Sequence, residues 1–309
     1  MAVLLVSNYQ NVDEWREVMA PLLPGIEWRA WPDVGDAGDI DMAVTWKAPK
    51  GVYDGLPNLK LICSLGQGVD HLFLHGDLPG GVPITRLTDE SMRRQMTAYV
   101  IAAVLRQLCR MADYEAAQTT QQWQILKDYD PAETTVGVLG VGALGRDTAE
   151  KLAALGFKVR GWSRGPKDIP GVECFAGIES LPAMLGACDM VSCLLPLTSE
   201  TRGLFNAATF AAMKPGAYLI NTARGAHVVE ADLIAALDSG QLGGATLDVF
   251  AAEPLPADNP LWRHPKITIT PHSSAVTLAR SCAGQIADNY KRMLDGRPLV
   301  NEVDPAREY

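Results

Sequence analysis

Short apolar runs rich in valine, isoleucine and leucine recur along the chain, separated by stretches in which apolar residues return every three or four positions. The runs "AVLLVS", "MAVTW", "LKLICSLG", "TTVGVLG", "KVRGW", "DMVSCLLP", "AYLINTA", "ATLDVF" and "KITITPH" read as strands, and several are continuously hydrophobic, as strands covered on both faces are. Strands alternating with helices predict βαβ units and parallel sheets, an α/β architecture. The runs outnumber what one compact sheet usually holds, so two Rossmann-like or flavodoxin-like parallel-sheet domains are expected. The first group of strands ends near residue 87, where "TDESMRRQMTAYVIAAVLRQLCRMADYEAAQTT" begins. Thr88, Glu90 and Ser91 offer capping groups, and Met96, Val100, Ala103, Val104 and Leu108 recur at helical spacing, which predicts one long helix. Between two sheet systems it reads as a connector. The stretch "TLARSCAGQIADNYKRML", 277 to 294, is also helical and returns the chain to the first domain. The expected division is residues 1–97 and 277–309 as a substrate domain, with a dinucleotide-binding domain, 98–276, inserted between them.

One segment has a stronger signature. In "TTVGVLGVGALGRDTAEKLAALG", Gly140, Gly142 and Gly145 have G-x-G-x-x-G spacing between a predicted strand and a predicted helix, with Gly156 as its expected C-terminal cap. The spacing alone is weak; the strand and helix around it point to a dinucleotide site, with an ordinary turn as the alternative. Gly140 permits the tight turn, Gly142 lets the backbone approach a pyrophosphate, and Gly145 lets helix and strand pack closely. Ala143 and Leu144 lie inside this loop, where the helix N-terminus offers N–H groups to phosphate.

Ser163 follows Gly142 by 21 residues, where an NAD-preferring site carries an acid for the ribose 2′-hydroxyl. "VRGWSRG" has no acid there. Ser163 can donate a hydrogen bond, and Arg164, with Lys167 close by, can pair with a 2′-phosphate that an acid would repel. NADPH is therefore expected in preference to NADH. The alternative is that Arg164 and Lys167 form only a solvated loop face.

Three further strands end on groups suited to hydride chemistry. "YLINTARG" runs out to Arg224, "ATLDVFAAEPLP" runs through Asp248 to Glu253, and "KITITPHSSA" ends with Pro271 and His272. Carboxyl ends of parallel strands are where ligands bind. Taken singly, Arg224 reads as a surface ion pair and His272 as a structural or capping histidine. Together they match what reduction of a 2-keto acid requires: a cation to grip the carboxylate and polarise the carbonyl, and a proton donor for the new hydroxyl. Histidine titrates in the useful range, and a neighbouring carboxylate favours the proton-carrying form.

Composition narrows the field. Of 309 residues, 48% are hydrophobic and 20% charged, as in a soluble globular protein. The net charge of −9 and the absence of long like-charge runs exclude a general nucleic-acid binder. "AVLLV" lacks a basic flank and no run of 18 apolar residues exists, so neither a leader nor a membrane partner is expected. Cys63, Cys109, Cys174, Cys188, Cys193 and Cys282 form no Cys-x-x-Cys pair, which favours reduced thiols, a cytoplasmic setting and no metal.

The signatures "VGVLGVGALG", "LLPLTSETRGLFN", "GAYLINTARGAHVVEADLIAALDSGQLGGATLDVFAAEPLP" and "ITPH" resemble the D-isomer-specific 2-hydroxyacid dehydrogenase family over essentially the whole chain. With "SLGQGVDHL" and "GWSRG", the chain is most similar to the glyoxylate/hydroxypyruvate reductase A branch, described as preferring NADPH. The resemblance implies that Arg224 binds the substrate carboxylate and carbonyl, that His272 is the acid/base and that Glu253 orients it. It implies that amides around Gly66, Gln67 and Gly68 receive the carboxylate, as a glycine-rich loop can. Trp46 would wall the substrate pocket, a core role being the alternative. Asp248 would meet the nicotinamide carboxamide, Leu195, Pro196 and Thr198 would lie beside the adenosine half, and Thr222 and Ala223 would flank the cofactor. Ser274, counted with the nicotinamide end, stands where many members have glycine. A homodimer is implied, with the helix near 90–110 as its interface. A D-lactate-type or bulkier 2-keto acid dehydrogenase differs only in substrate size. A nucleotide-sensing interaction protein on the same fold, as certain transcriptional corepressors are, is opposed by the complete set of Arg224, Glu253 and His272.

Overall fold

A computed structural model of the protein describes residues 1–7, 11–126 and 129–307. It divides into two units, Met1–Met92 with Thr277–Tyr309, and Arg93–Val276. The first crossing falls inside a helix, Glu90–Leu108, so no loop marks it in the sequence.

In the first unit β1 (Ala2–Val6), β2 (Glu27–Ala30), β3 (Ile40–Thr45), β4 (Leu61–Ser64) and β5 (Ile84–Thr85) form one parallel sheet in the order β2-β1-β3-β4-β5. This is the flavodoxin-like order. Successive residues of β1, β3 and β4 are buried because both faces are covered. Val3, Leu5, Met42 and Val44 pack with Trp15 and Met19 of the helix Val12–Met19 and with Cys282, Ile286 and Tyr290 of the helix Ala279–Asp295. Ala2, Leu4, Ala43 and Ile62 pack on the other side with Val52, Tyr53, Leu56 and Leu72.

The second unit holds β6 (Thr135–Leu139), β7 (Lys158–Ser163), β8 (Val172–Ala176), β9 (Met190–Cys193), β10 (Ala217–Asn221), β11 (Leu242–Leu247) and β12 (Ile267–Ile269). All pair in parallel, in the order β12-β11-β10-β9-β6-β7-β8. The order reverses between β6 and β9, the doubly wound arrangement in which a crevice opens at the strands' carboxyl ends. Three strands lie outside the apolar runs of the sequence. β2, β5 and β8 are all edge strands, short or carrying charge, and a single neighbour suffices to hold each.

Met96, Val100, Ala103, Val104 and Leu108 are buried against Val136, Val138, Ala149 and Leu152, so the helix that carries the crossing is also a layer on the second sheet. Its start is capped by Asp89, not by Thr88: one carboxylate oxygen of Asp89 accepts from the Ser91 and Met92 amides and from the Ser281 hydroxyl. The helix is also shorter than its pattern. It ends at Leu108, Arg110 turns left-handed at φ 54°, and a second helix runs Met111–Thr119. The nucleotide-motif helix, Ala143–Ala154, closes in a Schellman motif: Gly156, at φ 95°, donates to Ala153 O, and Phe157 donates to Leu152 O.

All six cysteines are free, and burial pushes the thiols of Cys63, Cys188 and Cys193 up to about 12. Among the described residues no helix is long and apolar enough to cross a membrane.

Candidate active site

The glycine loop leaves β6 and enters the helix Ala143–Ala154. Gly140 has φ 96°, and a Cβ there would lie 2.6 Å from Leu194 O, so neither its conformation nor its space admits a side chain. A Cβ on Gly145 would come 2.1 Å from Gly140 O, which is the close approach of helix to strand. Gly142 differs: a Cβ there meets nothing within 4 Å, and with Ala143 it is exposed at the helix start. The first N–H groups of a helix have no intrahelical acceptor, and the N-cap Gly142 has no side chain to serve them. A glycine compelled by packing on each side of one that faces open space fits a pyrophosphate. Leu144 is half-buried against the core beneath the loop.

β7 ends at Ser163, whose hydroxyl donates to Gly165 O at 2.7 Å and so shapes the turn that carries Arg164. Arg164 and Lys167 are both exposed. After β9, Leu195 is a core side chain, while Pro196 and Thr198 frame a turn closed by Thr201, whose hydroxyl donates to Pro196 O at 2.7 Å.

β10, β11 and β12 deliver the remaining groups. Thr222 and Ala223 are buried, and Arg224 is half-buried in a turn that Asn221 folds by donating its amide to Arg224 O at 2.9 Å. Gly225 is pressed so closely on the loop after β11 that a Cβ would lie 1.8 Å from Phe250 C. That contact sets the arginine turn beside the loop leading to Glu253. The Glu253 carboxylate uses both oxygens: Oε1 accepts from the Phe250 amide at 3.1 Å and Oε2 lies 2.8 Å from His272 Nδ1. A carboxylate only accepts, so Nδ1 carries the hydrogen and Nε2 is the exchangeable position. The His272 side chain keeps 28% exposure and that of Glu253 17%, so the ring can still meet a ligand.

His272 is itself unusual, at φ 52°. Its amide donates to Asp248 O at 2.7 Å, and the buried Asp248 carboxylate accepts from the Thr270 hydroxyl at 2.5 Å, the Ser273 amide at 2.8 Å and the Ser274 amide at 2.9 Å. Asp248 therefore grips the histidine's turn, and Ser274 is a buried part of that grip.

The sheet order, the glycine loop and the Glu253–His272 pair can be set beside known proteins. Residues 101–274 match the family described as D-isomer specific 2-hydroxyacid dehydrogenase, NAD binding domain. A glyoxylate/hydroxypyruvate reductase A of Serratia proteamaculans is 43% identical over 309 residues, 98% of each chain, and one of Yersinia enterocolitica is 42% identical over the full length of both. The chain belongs to the D-isomer specific 2-hydroxyacid dehydrogenase family. A family member from Xanthobacter autotrophicus, solved with NADPH and MES, superposes with a TM-score of 0.95 at 43% identity, covering 100% of this chain and 99% of that one. An NADPH-dependent glyoxylate/hydroxypyruvate reductase from Sinorhizobium meliloti, solved with NADP and sulfate, gives 0.93 at 37% identity, with both chains covered completely.

In this 2-hydroxyacid dehydrogenase the first unit holds the other candidate residues. Trp46 follows β3 and lies over Gly66, where a Cβ would come 2.4 Å from the indole. Its ring centroid is 4.5 Å from that of the buried His71. The Lys47 amide donates to His71 Nδ1 at 3.2 Å, so Nε2 carries the hydrogen and donates to Ser64 Oγ at 3.1 Å. Ser64 Oγ also accepts from the Gly66 amide at 3.2 Å and faces Gly68 O at 3.4 Å. Ser64 and His71 thus set the shape of the Gly66–Gln67–Gly68 loop. They sit inside "SLGQGVDHL", yet only the fold shows which of those residues touch.

His227 is another residue that the sequence does not single out. Completely buried, it lies between the arginine turn and the turn after β9, with Nδ1 3.1 Å from Arg224 O and Nε2 3.3 Å from Pro196 O; a neutral ring donates to one of these carbonyls.

The glycine geometry makes a paired prediction. Gly142→Ala is expected to keep the stability of the fold within about 1 kcal/mol while weakening NADPH binding at least about tenfold, since its Cβ would enter the open space that a pyrophosphate fits. Gly145→Ala is expected to lower stability by about 1–3 kcal/mol through overpacking. Urea unfolding and fluorescence titration of both variants check this. A Gly142→Ala protein that binds NADPH normally would contradict the placement.

Proposed function

We propose that the protein is an NADPH-preferring reductase of small 2-keto acids, with glyoxylate and hydroxypyruvate as its substrates. The observation that carries the reading is the Glu253–His272 pair, held at 2.8 Å at the carboxyl ends of β11 and β12 beside the Arg224 turn. The names of the full-length relatives support the substrate class.

Gly140, Gly142 and Gly145 hold the pyrophosphate, with the amides of Ala143 and Leu144 directed to it. Arg164, presented by the Ser163 turn and assisted by Lys167, pairs with the 2′-phosphate. Pro196 and Thr198 border the adenosine side, and Thr222, Ala223 and Ser274 lie toward the nicotinamide. Bound there, NADPH supplies the hydride for C2 of the keto acid. Arg224 grips the carboxylate and draws electron density to the carbonyl oxygen, whose charge grows as its π electrons are displaced. His272 gives that oxygen its Nε2 proton, and Glu253 balances the positive charge on the ring while fixing its orientation. The amides of the Gly66–Gly68 loop also receive the carboxylate, as the family resemblance implies, and Trp46 limits substrate size by backing that loop.

The same family implies a homodimer in the cytoplasm. Beyond the helix break at Arg110, Met111, Tyr114, Trp123 and Ile125 are all exposed, an apolar surface of the kind a second copy covers. Light scattering is expected to give the mass of two chains. A monomer at micromolar concentration would contradict the assembly.

Two substitutions test the site. Arg224→Ala should lower kcat/KM for glyoxylate by at least about a hundredfold, and an unaltered value would remove its role. Arg164→Ala should raise KM for NADPH about tenfold or more, leave KM for NADH unchanged and so erode the preference. An equal effect on both cofactors would make Arg164 a surface charge.

A further inference from the structure

Tyr99 lies on the long helix, half-buried, 171 positions away from the residue its hydroxyl meets. Its Oη is 2.5 Å from Thr270 Oγ1, and Thr270 Oγ1 is 2.5 Å from Asp248 Oδ1. The direction of this chain is fixed. The Asp248 carboxylate accepts, so Thr270 spends its single hydrogen there and its oxygen is left to accept from Tyr99. Burial pushes the Tyr99 phenol above its ordinary value, opposed by the Thr270 bond and reinforced by Asp248 and Tyr218, so it keeps the proton it donates. Beyond Thr270, the same Asp248 holds the amides of Ser273 and Ser274, and its backbone oxygen holds that of His272.

We infer that Tyr99 is a positioning residue for His272, acting through Thr270 and Asp248 to hold the left-handed turn in the geometry that proton transfer requires. This rests on the reading of His272 as proton donor. A phenylalanine would fill the same space, so the hydroxyl is present for the chain it begins. Without it, Thr270 can rotate to other acceptors, Asp248 loses a fixed donor, and the turn from His272 to Ser274 loosens while packing is retained.

Tyr99→Phe tests the inference with two independent readouts. Amide exchange at Ser273 and Ser274, followed by NMR, should accelerate about tenfold, the equivalent of one hydrogen bond, with global unfolding unchanged. NADPH-linked kcat with glyoxylate should fall about tenfold, with KM for glyoxylate and Kd for NADPH within about twofold. Thr270→Val should produce the same losses, and Tyr99→Phe/Thr270→Val no more than the larger single loss, because the two act in series. Unchanged exchange at Ser273 and Ser274, multiplicative losses in the double variant, or an intact kcat in Tyr99→Phe would each overturn the inference. If the wild type shows no turnover with glyoxylate or hydroxypyruvate, the functional reading fails, and the exchange data still decide whether Tyr99 holds the turn.

Discussion

The buried Asp248 carboxylate accepts three hydrogen bonds from one short segment, Thr270 to Ser274, and that segment carries His272 in a left-handed conformation. A non-glycine residue in that region costs about 1–2 kcal/mol. Hydrogen bonds to a charged acceptor contribute about 1.5–3 kcal/mol each, so the grip outweighs the strain. What the strain secures is direction: the imidazole presents Nδ1 to the Glu253 carboxylate. A β12 that ran straight on through His272 would lose both the grip of Asp248 and the pairing with Glu253.

The parallel sheet makes this possible. Because β10, β11 and β12 run the same way, their carboxyl ends deliver Arg224, Asp248 with Glu253, and His272 to one edge. The glycine loop after β6 and the turn after β9 flank the point where the strand order reverses, on that same edge. Two close approaches fix the loops, that of the helix residue Gly145 on Gly140 and that of Gly225 on Phe250 in the loop after β11. Both are backbone contacts that any side chain would block, so nucleotide loop and arginine turn are positioned by packing before any ligand arrives. His227 fills the space between the Arg224 and Pro196 carbonyls, where the two halves of the edge meet.

The parallel-sheet architecture, the glycine loop and the three strand-end groups were legible in the sequence because their signals are local: runs of β-branched residues, a fixed glycine spacing, a polar residue where an apolar run stops. Other features depend on residues far apart in the chain and have no period to read. Tyr99 looks like any aromatic on a helix until it meets Thr270. Asp248 reads as a ligand contact, yet its oxygens are engaged by the histidine's own turn. The choice of Asp89 over Thr88 as cap is made partly by Ser281, nearly two hundred residues later. The break at Arg110 escapes the pattern because the residues after it remain helix formers.

Whether His272 supplies the proton is decided by the NADPH-linked kcat of His272→Asn with saturating glyoxylate. Asparagine tolerates the left-handed backbone and lacks only the imidazole. A loss of about a hundredfold to ten-thousandfold is expected, with NADPH affinity retained. A kcat within about threefold of wild type, at unchanged NADPH affinity, would contradict it and move the acid/base chemistry to another group.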